Sequence, residues 1–315
     1  MSSLIEQAAE RLEQLRRAGA FIPEAVSVEA LHVAAPQSEA MQYANKMSAR
    51  LPQAAEAPPR TSQQVTLDLE ALGAAGIVTP NAPRSQAADQ YRVIKRPLIT
   101  NVKSMGTSVL NHGNLIMVTS ALVGEGKSFT SVNLAMSIAM ELDNTVMLVD
   151  ADVARPSVLR MLGLPPRPGL LDLLEGKTDM PGVLLKTNID KLTILPSGTP
   201  HPQATELLAS DAMRALLDDM AKRYADRIII FDSPPLLLTT EARVLATQMG
   251  QVVMVVQADK TLQADVQRAL STIKACSNIN LVLNKGRGDA GGGDSHGYGY
   301  GYGYGYGAPD GKSAT

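Results

Sequence analysis

Residues 114–135 read NLIMVTSALVGEGKSFTSVNLA, and this stretch decides the architecture. Leu115–Thr119 is an apolar run of strand length, and from Lys127 to Met140 the pattern turns helical. Between them lies Ala121-Leu122-Val123-Gly124-Glu125-Gly126-Lys127-Ser128. Strand, glycine loop, Lys-Ser and helix in that order make a phosphate loop (P-loop), with alanine at its first glycine position. The chemistry explains the residue types. Gly124 and Gly126 let the backbone turn its N–H groups toward phosphate oxygens. Lys127 is placed to reach the β and γ phosphates, Ser128 to ligate magnesium, and the helix N-terminus adds its positive end. Gly124, Glu125, Gly126, Lys127, Ser128 and Phe129 are therefore the expected nucleotide-binding residues.

Working outward, short β-rich runs alternate with helical patterns. The expected strands are Leu115–Thr119, Thr145–Val149, Leu192–Leu195, Arg227–Phe231, Gln251–Val256 and Asn280–Leu283. Helices are expected near Lys127–Met140, Pro156–Leu162, Gly169–Leu174, Asp211–Tyr224, Glu241–Met249 and Thr261–Cys276. Strands apolar on both faces and joined by helices predict an α/β fold, a doubly wound, mostly parallel sheet covered on both sides. Ligands of such sheets bind beyond the carboxyl ends of the strands. There the sequence puts Asp150 and Asp152 after Thr145–Val149, and Asp232 after Arg227–Phe231. A single aspartate at a strand end is commonly a cap or turn residue. Three at one crevice point to magnesium and phosphoryl chemistry, with Asp232 as a Walker B aspartate and Asp150 beside it in the metal shell.

The composition narrows the rest. The net charge of −2 in 315 residues argues against a nucleic-acid partner. One cysteine, Cys276, excludes an internal disulfide framework and a cysteine-based zinc site. No run approaches the roughly 18 apolar residues of a membrane span, and Met1–Glu6 has no secretory pattern, so a cytoplasmic protein is expected. Residues 1–33 include an amphipathic helical stretch over 4–18. Residues 34–88 are rich in Ala, Gln, Ser and Pro and read mostly as linker, with a helical turn or two expected over Val65–Leu72. Residues 89–285 are the P-loop domain. Residues 286–315 read as a glycine-rich tail carrying Tyr298, Tyr300, Tyr302, Tyr304 and Tyr306, five of the chain's eight tyrosines. A Gly-rich segment spans roughly 5–6 Å times the square root of its length, so the ~20 residues from Lys285 to Tyr306 reach about 25 Å.

NLIMVTSALVGEGKSFTSVNLA, VMLVDADVAR (146–155) and IIIFDSPP (228–235), with the tyrosine-rich end, resemble the bacterial tyrosine autokinases (BY-kinases), in particular the soluble type associated with exosortase-linked exopolysaccharide loci. The resemblance implies a Walker-type P-loop domain related to the partitioning ATPases. Those relatives carry a signature lysine where this chain has Leu122, which favours the kinase branch. Two other positions depart from the kinases: Ala154 stands where an arginine is usual, with Arg155 next, and Phe129 replaces the commoner threonine. The resemblance also implies ATP and Mg2+ as cofactors, and Tyr298, Tyr300, Tyr302, Tyr304 and Tyr306 as phosphoacceptors. A separate membrane polysaccharide co-polymerase would act as activator and recruit the chain to the inner face of the plasma membrane. Asp89, Arg92 and Lys95 reproduce the charge pattern of the family's E-x-x-R-x-x-R helix, which implies homo-oligomers.

The expected activity is transfer of the ATP γ-phosphoryl to protein tyrosine, with control of exopolysaccharide biosynthesis or export. Lys127, Asp150 and Asp152 are the catalytic candidates; either aspartate is placed to take the phenol proton. The alternative is a non-kinase regulatory P-loop ATPase gating a membrane or filament partner. Five closely spaced phenols have no use in such a switch.

Overall fold

Apolar runs with no polar alternation need cover on both faces, and the chain provides it. The structure, a computed structural model, describes residues 62–81, 85–103 and 112–286. The expected N-terminal helix and the five tail tyrosines lie outside the described residues. The strands are β1 (Gln63–Gln64), β2 (Leu115–Ser120), β3 (Thr145–Asp150), β4 (Leu185–Lys186), β5 (Leu192–Leu195), β6 (Arg227–Asp232), β7 (Gln251–Gln257) and β8 (Ile279–Asn284). They form one eight-stranded sheet in the order β1-β4-β5-β3-β6-β2-β7-β8. Every pairing is parallel except that of β4 with β5. All six strands expected from the sequence are present, and the doubly wound, mostly parallel sheet is the observed fold.

The period of two along each strand divides the core in two. On one face Met117, Met147, Val149, Ile229, Phe231 and Met254 pack under the helices Leu170–Leu174, Asp211–Arg223, Thr240–Ala246 and Gln263–Thr272. On the other, Ile116, Val118, Leu148, Ile230 and Val253 meet α2 (Gln86–Lys103) and α3 (Lys127–Ala139). The aliphatic core follows from a chain with three Phe and no Trp; Phe231 is the largest fully buried side chain. Helix α3 is enclosed nearly all round, and two of its polar side chains lie against carbonyls one turn back in the helix. Ser131 Oγ lies 2.9 Å from the Lys127 carbonyl, and Asn133 Nδ2 donates to that of Phe129 at 2.9 Å.

Residues 62–81 fall in the stretch whose composition reads as linker, yet they belong to the fold. β1 pairs with β4, and α1 (Leu69–Ala74) is capped by Asp68, whose Oδ1 accepts from the N–H groups of Glu70 and Ala71. Leu67, Leu72, Ile77 and Val78 are buried in the core shared with α2 and α3. Two asparagines pin the segment. Asn188 bonds both backbone groups of Leu67, at 2.9 and 3.0 Å, and Asn133 Oδ1 accepts from Val78 N at 2.7 Å. Four apolar side chains among many Ala, Gln and Pro are invisible to a composition average but sufficient for docking.

Helix α2 contains the Asp89/Arg92/Lys95 pattern. Arg92 pairs with Asp89 on the outside. Lys95 points the other way: it is buried, donating to the Ser137 carbonyl at 2.6 Å and to Glu141 at 2.7 Å. The outward charge pattern on this helix is therefore Asp89 and Arg92 without Lys95.

The docking of residues 62–81 is testable. Leu67→Ala is expected to lower the unfolding free energy by about 3 kcal/mol in urea titrations, the usual cost of a buried leucine cavity. The same change at exposed Leu142 should move it by less than about 0.5 kcal/mol. Equal, small effects would show that 62–81 adds nothing to the core.

Candidate active site

Three parallel strands, β2, β6 and β3, end side by side, and their carboxyl ends deliver the site. After β2 the chain turns through the glycine loop into α3. Gly124 has φ 81° and Gly126, the residue before the helix, φ 101°. Only glycine takes this left-handed backbone without strain, which is why the loop needs it at both positions. The expected nucleotide-binding residues 124–129 lie together on this turn and the first turn of α3.

The two carboxylate motifs meet the loop as the sheet order requires. Asp150 and Asp232 are register partners on β3 and β6, and Ala151 N donates to the Asp232 carbonyl at 2.8 Å. Lys127 Nζ lies 2.5 Å from Asp152 Oδ2 and 3.3 Å from Ser128 Oγ. Asp232 Oδ1 accepts from Ser131 Oγ at 3.1 Å. Asp150 Oδ2 accepts from the N–H groups of Ser157 and Val158, each at 3.0 Å. Asp152 Oδ1 accepts from Arg155 N at 3.2 Å in the turn after β3.

Buried charges of one sign shape the electrostatics. Asp150, Asp152 and Asp232 are all buried, with one ammonium, Lys127, among them. Burial raises the Asp150 carboxyl to about 7, and the Asp232 charge adds to this, against the lowering effect of the two backbone N–H groups. Burial also raises Asp232, partly offset by Lys127 and Ser128. One oxygen of each, Asp150 Oδ1 and Asp232 Oδ2, is buried without a hydrogen-bond partner. A divalent cation would satisfy both oxygens. The described residues contain no group of three or more metal-binding side chains, so these carboxylates are no metal cage by themselves. They suit magnesium, which keeps water and phosphate oxygens and takes one or two carboxylates from the protein.

The structure adds partners of the loop that the sequence reading missed. Glu125 is buried, its carboxylate accepting from Leu122 N at 2.7 Å and from Thr261 Oγ1. Asn284 Nδ2 donates to the Glu125 carbonyl at 2.9 Å and Lys285 Nζ to the Gly124 carbonyl at 2.6 Å. Apart from the local Leu122 contact, these partners lie well over a hundred residues away in sequence. No local pattern marks them.

Comparison with known proteins agrees with this geometry. A family profile described as "ParA: NUBPL iron-transfer P-loop NTPase" matches residues 111–283. The chain is 32% identical over 202 residues to the tyrosine-protein kinase YwqD of Bacillus subtilis (strain 168), covering 64% of this chain and 81% of YwqD. The chain belongs to the bacterial tyrosine-protein kinases. Within P-loop NTPases of the ParA type, this is the kinase branch. The putative tyrosine-protein kinase EpsB of Ralstonia nicotianae is 31% identical over 203 residues, but the match spans only 26% of EpsB against 63% of this chain. Among solved structures, the kinase domain of VpsO superimposes with a TM-score of 0.53 at 26% identity, covering 62% of this chain and 94% of that domain.

The raised Asp150 predicts a pH dependence. The unfolded chain releases this proton near 3.8, the folded chain near 7. Between those values the folded state holds a proton the unfolded state has lost, so stability falls as pH rises and levels off above about 7. Asp150→Asn keeps an acceptor for Ser157 and Val158 but does not titrate. In chelator, its stability advantage over the natural chain should grow between pH 4 and 7.5 by on the order of 3 kcal/mol in urea unfolding. A constant difference across that range would show that Asp150 does not titrate there.

Proposed function

We propose that this chain is an ATP-dependent protein-tyrosine autokinase whose acceptors are Tyr298, Tyr300, Tyr302, Tyr304 and Tyr306, and that it regulates exopolysaccharide synthesis or export. The observation that carries the reading is Lys127, held between Asp152 and Ser128 at the mouth of a glycine loop, in a chain of the tyrosine-kinase family. A regulatory ATPase would need the loop and the metal carboxylates but no cluster of phenols.

Magnesium, bound with the nucleotide, would neutralise phosphate charge and polarise the γ-phosphoryl group; Ser128, Asp150 and Asp232 would hold it. The backbone N–H groups of residues 124–129 bind the phosphates. Lys127 follows the charge as the bond from the γ-phosphorus to the bridging oxygen breaks and the phenol oxygen attaches. The acceptor's phenol, with an ordinary pKa near ~10, gives up its proton in the same step. Of the two candidate bases, Asp152 is favoured. Asp150 spends Oδ2 on two backbone N–H groups and aims its remaining oxygen at the metal shell. Asp152 Oδ2 engages the Lys127 ammonium, so movement of that ammonium to phosphate would free a carboxylate beside the reacting atoms. ADP, phosphotyrosine and a protonated Asp152 are the products.

No helix among the described residues is long and apolar enough to cross a membrane. On this reading a separate membrane polysaccharide co-polymerase recruits the kinase and activates it. Self-assembly through α2 would use Asp89, Arg92 and Val93, which is 73% exposed, and leave Lys95 to the interior. Neighbouring subunits would then present tails to one another's crevices.

Purified chain incubated with magnesium and ATP should gain phosphotyrosine at residues 298–306, mapped by mass spectrometry. Lys127→Met should reduce this at least about a hundredfold with the fold unchanged. ATP hydrolysis without phosphotyrosine would replace the kinase reading by the regulatory ATPase.

Transfer between molecules is a separate expectation. When Lys127→Met chains are mixed with tail-deleted, catalytically intact chains, phosphotyrosine should appear on the Lys127→Met partner. An unlabelled partner would restrict each kinase to its own tail.

A further inference from the structure

We infer that Asn284 and Lys285, at the end of β8, are positioning residues that hold the phosphate loop in its anion-binding conformation. This deepens the nucleotide-binding reading of the same site and rests on it. The juxtaposition is consecutive on both sides: Lys285 Nζ donates to the Gly124 carbonyl at 2.6 Å and Asn284 Nδ2 to the Glu125 carbonyl at 2.9 Å. In a planar trans peptide, the carbonyl of one residue and the N–H of the next point in opposite directions. Drawing the Gly124 and Glu125 carbonyls toward β8 therefore turns the N–H groups of Glu125 and Gly126 away from it. Those are two of the donors a phosphate needs. Left-handed glycines on their own permit many orientations of these peptide units, so something outside the loop must select one.

Three further observations agree. A Cβ placed on Gly126 would collide with Asn284 Nδ2, so the glycine is required by this close approach as well as by its φ of 101°. Lys285 has φ 58°, uncommon for a residue with a side chain, at the point where its ammonium meets the loop. The Glu125 carboxylate is fixed from the same direction by Thr261, whose Oγ1 also accepts from Gln257 N at 3.1 Å at the end of β7. The edge of the sheet at β7 and β8 thus braces the loop at two carbonyls and one carboxylate. Preorganisation of this kind removes the cost of ordering the loop when an anion binds.

The test uses the full chain, with calorimetric binding of two probes: MgADP, and magnesium tripolyphosphate, which has no base or ribose. Asn284→Ala and Lys285→Ala should each weaken both probes by about tenfold, the scale of one lost hydrogen bond to a positioned carbonyl. Lys285→Arg, which keeps a charged donor, should stay close to the natural chain, and the melting temperature of the ligand-free variants should hardly move. Natural affinity for both probes in both alanine variants overturns the inference. So does a loss confined to MgADP, which would make Asn284 and Lys285 base contacts, and so does a loss that merely follows a drop in ligand-free stability. The two readings fail separately. A chain that binds both probes but makes no phosphotyrosine refutes the kinase, while one that makes phosphotyrosine with alanine variants of natural affinity refutes the brace.

Discussion

Three buried carboxylates around one ammonium are the constraint to which the rest of this domain answers. Asp150, Asp152 and Asp232 stand at the ends of β3 and β6, with Lys127 as the single buried cation among them. Burying a carboxylate without full compensation costs several kcal/mol, so each must be provided for. Two backbone N–H groups serve Asp150, Ser131 serves Asp232, and Lys127 with the Arg155 N–H serves Asp152. The balance is still incomplete, as the raised Asp150 and Asp232 and their two unpartnered oxygens record. A fold selected for stability alone would place apolar or neutral groups here. The unrelieved charge marks where this chain gives up stability in order to meet cations and phosphates.

The sheet carries that cost because its centre is so thoroughly apolar. β2, β3, β6 and β7 are buried along almost their whole length, and α3 presses on one face over most of its surface. Crevice residues sit at the last position of their strands or just beyond, so the polar rim begins where the apolar ladder stops. Asp232 closes β6 directly after Ile228–Phe231, and Asp150 closes β3 after Val146–Val149. Rigid strands so placed hold the carboxylates at fixed spacing without any dedicated scaffold loop.

What could be read from the sequence follows the range of the interactions involved. The glycine loop, the central strands and the three aspartates are local patterns: a run of apolar residues, a turn chemistry, a charge at a strand end. Each is legible in ten residues. The docking of Leu67, Leu72, Ile77 and Val78 is hard to see in the sequence because their partners lie on α2 and α3, and a composition average weighs the surrounding Ala, Gln and Pro more heavily than four buried side chains. Lys95 misleads for the opposite reason. Its spacing from Asp89 and Arg92 puts it near them on the helix, but its side chain is drawn inward by the Ser137 carbonyl and Glu141, neither of which the helix sequence reveals. Asn284 and Lys285 are ordinary strand-end residues until the sheet sets β8 beside the loop.

The position of β8 has a consequence for how substrate and site are joined. The chain that carries the five tyrosines continues from Lys285, and Lys285 itself touches the phosphate loop. Acceptors on such a segment start from the rim of the crevice that would phosphorylate them, so little of their reach is spent in crossing the domain. Proximity to a crevice, a neighbour's or its own, would also let the tail linger there as product. The charge of the crevice works against that outcome. Each phosphate adds about −1.5 to −2 charges at neutral pH. A modified tail therefore meets three aspartates with one lysine to oppose them, and the repulsion grows with every tyrosine converted. On the kinase reading, the same excess of carboxylates that costs the fold stability drives the phosphorylated segment out.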